Sequence, residues 1–340
     1  MNNPLLKQVL NEYSIKREKA IKEAENRKRE LLAVNPKLAQ IEDELSKISI
    51  EATKSIIISD EEKKKKILSD LKKQSNSLIK EKNNILKEIS KSTDFLKPHF
   101  ECNICKDTGF VDKNGKSEMC NCLKQEIYNI AYNKSNIGNL ERENFNTFNI
   151  RIFSDKSDKQ RFKSDISPRE NMNLLKEKAI TFIENFDDPN EKNLIFTGGT
   201  GLGKTFLSNC IASEMLKQGK TVLYQTAPVM LDEILDEKFG KGDPNFDLME
   251  NILHANLLII DDLGTEKISE TKITELFTII NTRLLNQNHS ITKTIISTNL
   301  TASELLATYT TRIASRLAGT YRFLRFFGDD IRLKRGKKEI

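Results

Sequence analysis

The chain has 340 residues, 37% of them hydrophobic and 31% charged, with no tryptophan and a formal net charge of +6; its mean hydropathy is −0.51. That length allows two or three domains at roughly 100–200 residues each, and the charge content points to exposed helices beside a buried core. No apolar run reaches the length of a membrane span and the N-terminus carries no apolar signal core, which argues against a membrane or secreted protein. A cytosolic chain with reduced cysteines is expected.

Residues 1–94 are rich in Lys and Glu and hold no glycine. Apolar residues recur there at helical spacing: Leu6, Leu10 and Tyr13, then Leu38, Ile41, Leu45 and Ile48, then Ile67, Leu68, Leu71, Leu78, Ile85 and Ile89. Asn35-Pro36 separates a first helix from a second, because proline disfavours helix in the residue before it. Ser59-Asp60-Glu61-Glu62 reads as a capping box that opens a third helix. The expectation is a helical hairpin or small bundle with coiled-coil character that grips a protein partner. The run Lys63 to Lys66 reads as a solvated helix face.

Residues 95–125 hold Cys102-Asn103-Ile104-Cys105 and Cys120-Asn121-Cys122, separated by a turn-rich loop with Gly109, Asn114 and Gly115. Four sulfurs in two close pairs suit a tetrahedral structural Zn²⁺ site, so Cys102, Cys105, Cys120 and Cys122 are the candidate ligands of a small zinc knuckle. No thioredoxin-like strand and helix pattern surrounds them, which argues against redox chemistry. His99 is a substitute ligand of lower rank, and Cys210 stands apart as a core residue. Residues 126–168 mix helix signals with Asn, Asp, Ser and Lys and read as a linker, with Phe145, Phe148 and Phe153 docking on the domain C-terminal to it.

From residue 169 to 340 the pattern is α/β. A helix over Met172 to Phe186 leads to a strand at 193–197, and then to Gly198, Gly199, Thr200, Gly201, Leu202, Gly203, Lys204 and Thr205. Strand, G-x-x-x-x-G-K-T turn and helix form the context of a phosphate loop. Its backbone N–H groups point inward at phosphate, Lys204 reaches the β- and γ-phosphates, and the Thr205 hydroxyl ligates Mg²⁺. A second strand runs over Thr221 to Tyr224. The apolar run Leu257 to Ile260 then ends in two carboxylates at the edge of a buried parallel sheet. Asp261 is placed to bind Mg²⁺ directly or through water, and Asp262 to orient and deprotonate the attacking water; the plainer alternative is a carboxylate pair capping a turn before Gly264. A strand over Thr294 to Ser297 ends in Thr298-Asn299, whose amide either holds the γ-phosphate or lytic water or simply closes a turn. Arg312 and Arg316 lie four apart on one helix face; either suits the cation that phosphoryl transfer draws from a neighbouring subunit, or a surface ion pair.

With GGTGLGKT, LLIIDDLGTE, STN, RIASRL and GDDIR, the chain resembles the DnaC/DnaI-type bacterial helicase loaders. These are AAA+ ATPases related to transposon-encoded IstB-type ATPases. The resemblance is specific over roughly 170–333 and extends to CNICKDTGF and CNC of the cysteine segment. It implies a P-loop AAA+ core without a C-terminal helical lid, preceded by the helical region and the knuckle. It also implies that Lys204 and Thr205 are the Walker A pair, Asp261 and Asp262 the Walker B pair, Asn299 sensor 1, Arg316 the arginine finger and Arg332 a sensor 2 arginine. Asp262 stands where many AAA+ members carry Glu, one methylene longer, which implies slow hydrolysis.

The function this resemblance implies is ATP-dependent loading of a replicative DNA helicase. The N-terminal helices would hold the helicase, the core would bind ATP and single-stranded DNA, the chain would self-associate on ATP, and hydrolysis would release the cargo. Lys238, Lys241 and the C-terminal Arg/Lys cluster are the candidate phosphate contacts for DNA. Two alternatives remain at this point: an IstB-like accessory ATPase of transposition, and a nucleotide-gated adaptor with little turnover.

Overall fold

The computed structural model describes residues 4–55, 61–89, 91–131, 140, 142–241, 247–287 and 290–332. They form two compact units, one of residues 10–118 and one of residues 1–9 with 119–340.

In the first unit, which takes helix α1 (Pro4–Val34) from Leu10 onward, α1 is followed directly by α2 (Pro36–Ser55). The Asn35 side chain accepts the Leu38 N–H at 3.0 Å, and Pro36 occupies the first helical position, where its missing donor does no harm. Helix α3 spans Glu61–Glu88; Ser59 and Asp60 of the expected capping box lie outside the described residues. Leu38 and Ile41, early in α2, pack on Ile85 and Leu86, late in α3, so the two helices run antiparallel as a hairpin. The half-buried Glu42 of α2 pairs with Lys28 of α1 and with Lys82 of α3 at 2.5 Å, which joins all three helices. Burial works against its ionisation, but these two lysines outweigh it and hold the carboxyl below its ordinary range. Lys63, Lys65 and Lys66 are exposed, as a solvated face requires.

Strands β1 (Phe110–Lys113) and β2 (Lys116–Met119) pair across Asn114 and Gly115, with φ of 55° and 77°. Two left-handed residues make the turn whose twist matches a hairpin. The loop between the cysteine pairs is therefore a hairpin, and Asn-Gly was its signal.

In the second unit, helix α4 (Asn121–Ala131) precedes a single 3₁₀ turn at Ile150–Ile152 and the short α5 (Lys159–Phe162). Helix α6 (Pro168–Glu184) opens earlier than the sequence pattern suggests, because Ser167 and Glu170 form a reciprocal capping box with Pro168 between them. Next come β3 (Asn193–Thr197), α7 (Lys204–Lys217), β4 (Val222–Thr226), α8 (Ala227–Lys238) and α9 (Leu248–His254). The chain continues through β5 (Leu257–Leu263), α10 (Glu270–Asn286), β6 (Lys293–Thr298), α11 (Ala302–Thr308), α12 (Thr311–Thr320) and β7 (Tyr321–Arg325).

The five strands are parallel in the order β4-β5-β6-β3-β7. This is a parallel sheet flanked by helices, the fold class that the resemblance implies. Alternate residues face opposite sides: Leu194 and Phe196 join one apolar core and Ile195 the other, as do Leu257 and Ile259 against Leu258 and Ile260. The edge strand β4 is covered by α4, whose Gln125 amide accepts the Val222 N–H at 2.7 Å and donates to the Val222 carbonyl at 3.0 Å. β3 lies between β6 and β7, while the chain that leaves β3 returns at β4 on the far edge. That reversal opens a crevice at the C-terminal end of β3.

Candidate nucleotide and metal sites

The loop after β3 is shaped by close backbone contact. Gly198 has φ of 141°, and a Cβ there would come within 2.3 Å of the Phe326 carbonyl; Gly201 has φ of 68°, and a Cβ there would meet the Asp330 carboxylate at 1.9 Å. Only glycine fits either place. The segment after β7 therefore closes on the phosphate loop, and the Ile331 N–H donates to the Gly201 carbonyl at 2.9 Å. Gly203 then starts α7, so Lys204 and Thr205 sit in its first turn.

The Lys204 ammonium donates to the carbonyls of Gly198 at 2.6 Å and Gly199 at 2.7 Å, and to Asn299 Oδ1 at 2.8 Å. The amide at the end of β6 thus meets the lysine of the loop. Burial pulls the Lys204 pKa down, with Asp262 and Asp261 opposing it.

Asp261 is almost fully buried and held from several sides. Tyr224 Oη donates to its Oδ2 at 2.7 Å and the Thr205 hydroxyl to the same oxygen at 3.1 Å, while Ser297 donates to Oδ1. Tyr224 was missed by sequence reasoning; its burial, and the carboxylate it serves, push its pKa far up. Asp262 is built differently. The β5–β6 register shifts between Ile260 and Leu263, and Asp262 takes φ of 54° in the left-handed region. A bulge of this kind re-aims a side chain, and Asp262 lines the cavity where Asp261 does not. Burial, then the neighbouring Asp261, raise its pKa, against Lys204 and Arg332.

The cavity is about 310 Å³. Thr200 to Thr205, Asp262, Asn299 and Arg332 line it together with apolar side chains, chiefly Phe148, Ile152, Phe153, Met172, Phe206 and Ile331. Phe145, Phe148 and Phe153 were expected to dock on the core and do so. The place of Phe148 and Phe153 in the cavity wall was not foreseen, because a linker carries no motif for it. Apolar side chains in the wall of a cavity that a phosphate loop also lines suit a nucleobase.

Arg312 and Arg316 are not in this cavity. Both are exposed on α12, and Arg316 Nε donates to Asn281 Oδ1 of α10 at 3.0 Å. Lys238 pairs with Glu275 at 2.5 Å and Lys241 is exposed; the C-terminal Arg/Lys cluster lies outside the described residues.

The sulfurs of Cys102, Cys105, Cys120 and Cys122 all lie within 4.8 Å of one another, and His99 is not in the group. Four thiolates about 2.3 Å from one zinc ion stand about 3.8 Å apart, so the donor set fits that metal. Local backbone shapes the set. Lys106 and Asp107 take φ of 52° and 56°, and the buried Asp107 carboxylate accepts the N–H groups of Glu101 at 2.9 Å and Cys102 at 2.7 Å. The tighter C-x-C pair brackets the first residue of α4, Asn121. Cys210 is buried on α7, and burial pushes its thiol up to about 12, as befits an inert core residue.

A family described as IstB-like ATP binding protein matches residues 156–338, more than half of the chain. The chain belongs to the IstB-like ATP-binding family. Among its relatives, the replicative helicase loader DnaC of Escherichia coli (strain K12) is 28% identical over 186 residues, covering 52% of this chain and 73% of DnaC. An insertion-sequence ATP-binding protein of Pseudomonas fluorescens is 28% identical over 111 residues, or 32% of this chain and 47% of that protein. The crystal structure of DnaI aligns at a TM-score of 0.43 and 20% identity, over 56% of this chain and 94% of that one. Membership of the IstB-like family carries ATP binding at the level of the family. Among the described residues no helix is long and apolar enough to cross a membrane.

Proposed function

We propose that this chain is an ATP-hydrolysing loader of a replicative DNA helicase, working in the cytosol. The observation that carries the ATPase part is the convergence of Lys204, Asp262, Asn299 and Arg332 on one cavity, with Asp262 turned into it by the bulge in β5. Phosphate oxygens would take the loop N–H groups and the Lys204 ammonium. The Thr205 hydroxyl would hold Mg²⁺, with Asp261 behind it acting through Thr205 and water; the ion, when bound, neutralises phosphate charge. Asp262 takes the proton of the attacking water, and its raised proton affinity suits a general base. Asn299 holds the γ-phosphate or that water, and Arg332 meets the phosphates from the same chain. The cation still lacking would be Arg316 of a neighbouring copy, with Arg312 as the alternative, so the active species is an oligomer on ATP.

Residues 1–94 would hold the helicase, and residues 95–125 would be a knuckle whose zinc stabilises it and does no chemistry. Residues 126–168 would link these to the ATPase at 169–340. Lys241 is the better DNA candidate of the two lysines, since Lys238 already has a carboxylate. Similarity that spans 73% of DnaC favours a loader over a transposition ATPase. The test is the full chain as bait in a lysate of its own cells, with ATP. Recovery of the replicative helicase supports the proposal, and recovery of a transposase in its place supports the second reading.

A further inference from the structure

The loop C-terminal to Asp262 is bonded, through buried side chains, to the start of the helix that carries the two exposed arginines. The Asp262 carbonyl accepts the Thr265 hydroxyl at 2.8 Å, which folds the loop tightly after the bulge. The next side chain, Glu266, is 8% exposed and bridges two places. One oxygen accepts the Gly264 N–H at 2.8 Å; the other accepts the phenol of Tyr309. Gly264 has φ of 98°, and a Cβ there would come within 2.7 Å of the Leu300 side chain, so this loop packs against the turn that holds Asn299. Tyr309 is 5% exposed and ends α11, and the next residue, Thr310, caps α12. Neither Glu266 nor Tyr309 lines the cavity. A carboxylate and a phenol buried together away from the cavity need each other's hydrogen bond, since either one unpaired is disfavoured.

We infer that the Glu266–Tyr309 hydrogen bond is a positioning link that ties the loop bearing Asp262 to α12, so that nucleotide bound beside Asp262 changes how α12 holds Arg312 and Arg316. Neither residue touches the reacting atoms; both act through the elements they join. The inference rests on the reading that α12 presents an arginine to a neighbouring copy. It adds the route by which one subunit's nucleotide governs the arginine which that subunit offers. Buried elements with few discrete arrangements transmit such signals, and variants along them change coupling without touching ligand.

The test is hydrogen exchange of the full chain, with and without a non-hydrolysable ATP analogue and Mg²⁺, read over residues 262–267 and 310–320. In the parent chain both segments should slow on adding the analogue. In Tyr309→Phe, which removes one hydroxyl and keeps the ring, 262–267 should still respond and 310–320 should not. Its kcat should fall about 10-fold while its ATP Kd stays within about twofold. Glu266→Gln can keep its amide oxygen on the Gly264 N–H and donate from its NH₂ to the phenol oxygen, so the link persists with that bond reversed and the variant should respond as the parent does. An unchanged response of 310–320 in Tyr309→Phe, or no response there in the parent, overturns the inference. So does a loss in Glu266→Gln equal to that in Tyr309→Phe. If Tyr309→Phe does not fold, Glu266→Ala against Glu266→Gln makes the same comparison. Arg316→Ala and Arg312→Ala separate the two ideas: parent-like turnover in both variants removes the arginine reading, whereas the exchange response of 310–320 in Tyr309→Phe tests the link itself.

Discussion

Replacing Asp262 with Asn tests the catalytic reading at a single oxygen. The substitution keeps shape and removes only the charge that could accept a proton. The residue occupies a left-handed position at φ of 54°, which Asn tolerates at least as well as Asp. Loss of a general base lowers turnover by about 10²–10⁴-fold, or roughly 3–5 kcal/mol of barrier. ATP affinity should hold, because Lys204 and the loop N–H groups are untouched. Stability should move the other way. Burial and Asp261 raise the Asp262 pKa in the folded chain, so ionising it disfavours the fold. The stability it contributes is present below the unfolded carboxyl pKa and is lost as pH rises through the folded one. At pH 7 the Asn variant should therefore melt at or above the parent temperature. In the parent, single-turnover hydrolysis should rise with pH through the same raised pKa and then level off. The assay is single-turnover hydrolysis across pH, with nucleotide binding and thermal melting on the same samples. Turnover within about threefold of the parent would show that the base lies elsewhere.

Further outcomes are expected from the same geometry. Lys204→Ala should weaken ATP binding at least about tenfold, measured by titration calorimetry, since it removes a charged donor to phosphate. Arg316→Ala should bind ATP normally and lose hydrolysis, and mixing it with Asp262→Asn should restore part of the rate; no restoration, with turnover independent of protein concentration, would count against an arginine supplied in trans. Tyr224→Phe removes a buried donor to Asp261 and should cost about 1.5–3 kcal/mol in denaturant unfolding. Metal analysis should find one zinc ion per chain at the four-cysteine cluster, and Cys120→Ser should lower that content; a zinc-free protein whose four thiols titrate freely would refute the site.

What was legible in the sequence was local. The phosphate loop, the apolar strand ending in two carboxylates and the paired cysteines each place their chemistry within a few residues. What escaped depends on contacts between distant parts of the chain. β7 comes directly after α12, and its existence rests on pairing with β3. The aim of Asp262 depends on a register shift against β6, and Tyr224 finds Asp261 only because β4 lies beside β5. Arg283 is fully buried on α10 with no acidic partner in contact among the described residues. Its guanidinium instead donates to the carbonyls of Ile252, Ala255 and Lys293 and to the Thr294 hydroxyl. No spacing in the sequence separates such an arginine from a surface one, and burial lowers its pKa to about 10.

Transfer of the helicase onto single-stranded DNA is the most direct test. The full chain, its co-purified helicase, a closed circle of single-stranded DNA and ATP should together yield helicase bound to the circle and free of this protein. With Asp262→Asn, the helicase should reach the circle and stay attached to its loader. Free helicase on the circle in equal yield with Asp262→Asn, or without this protein at all, would contradict the account.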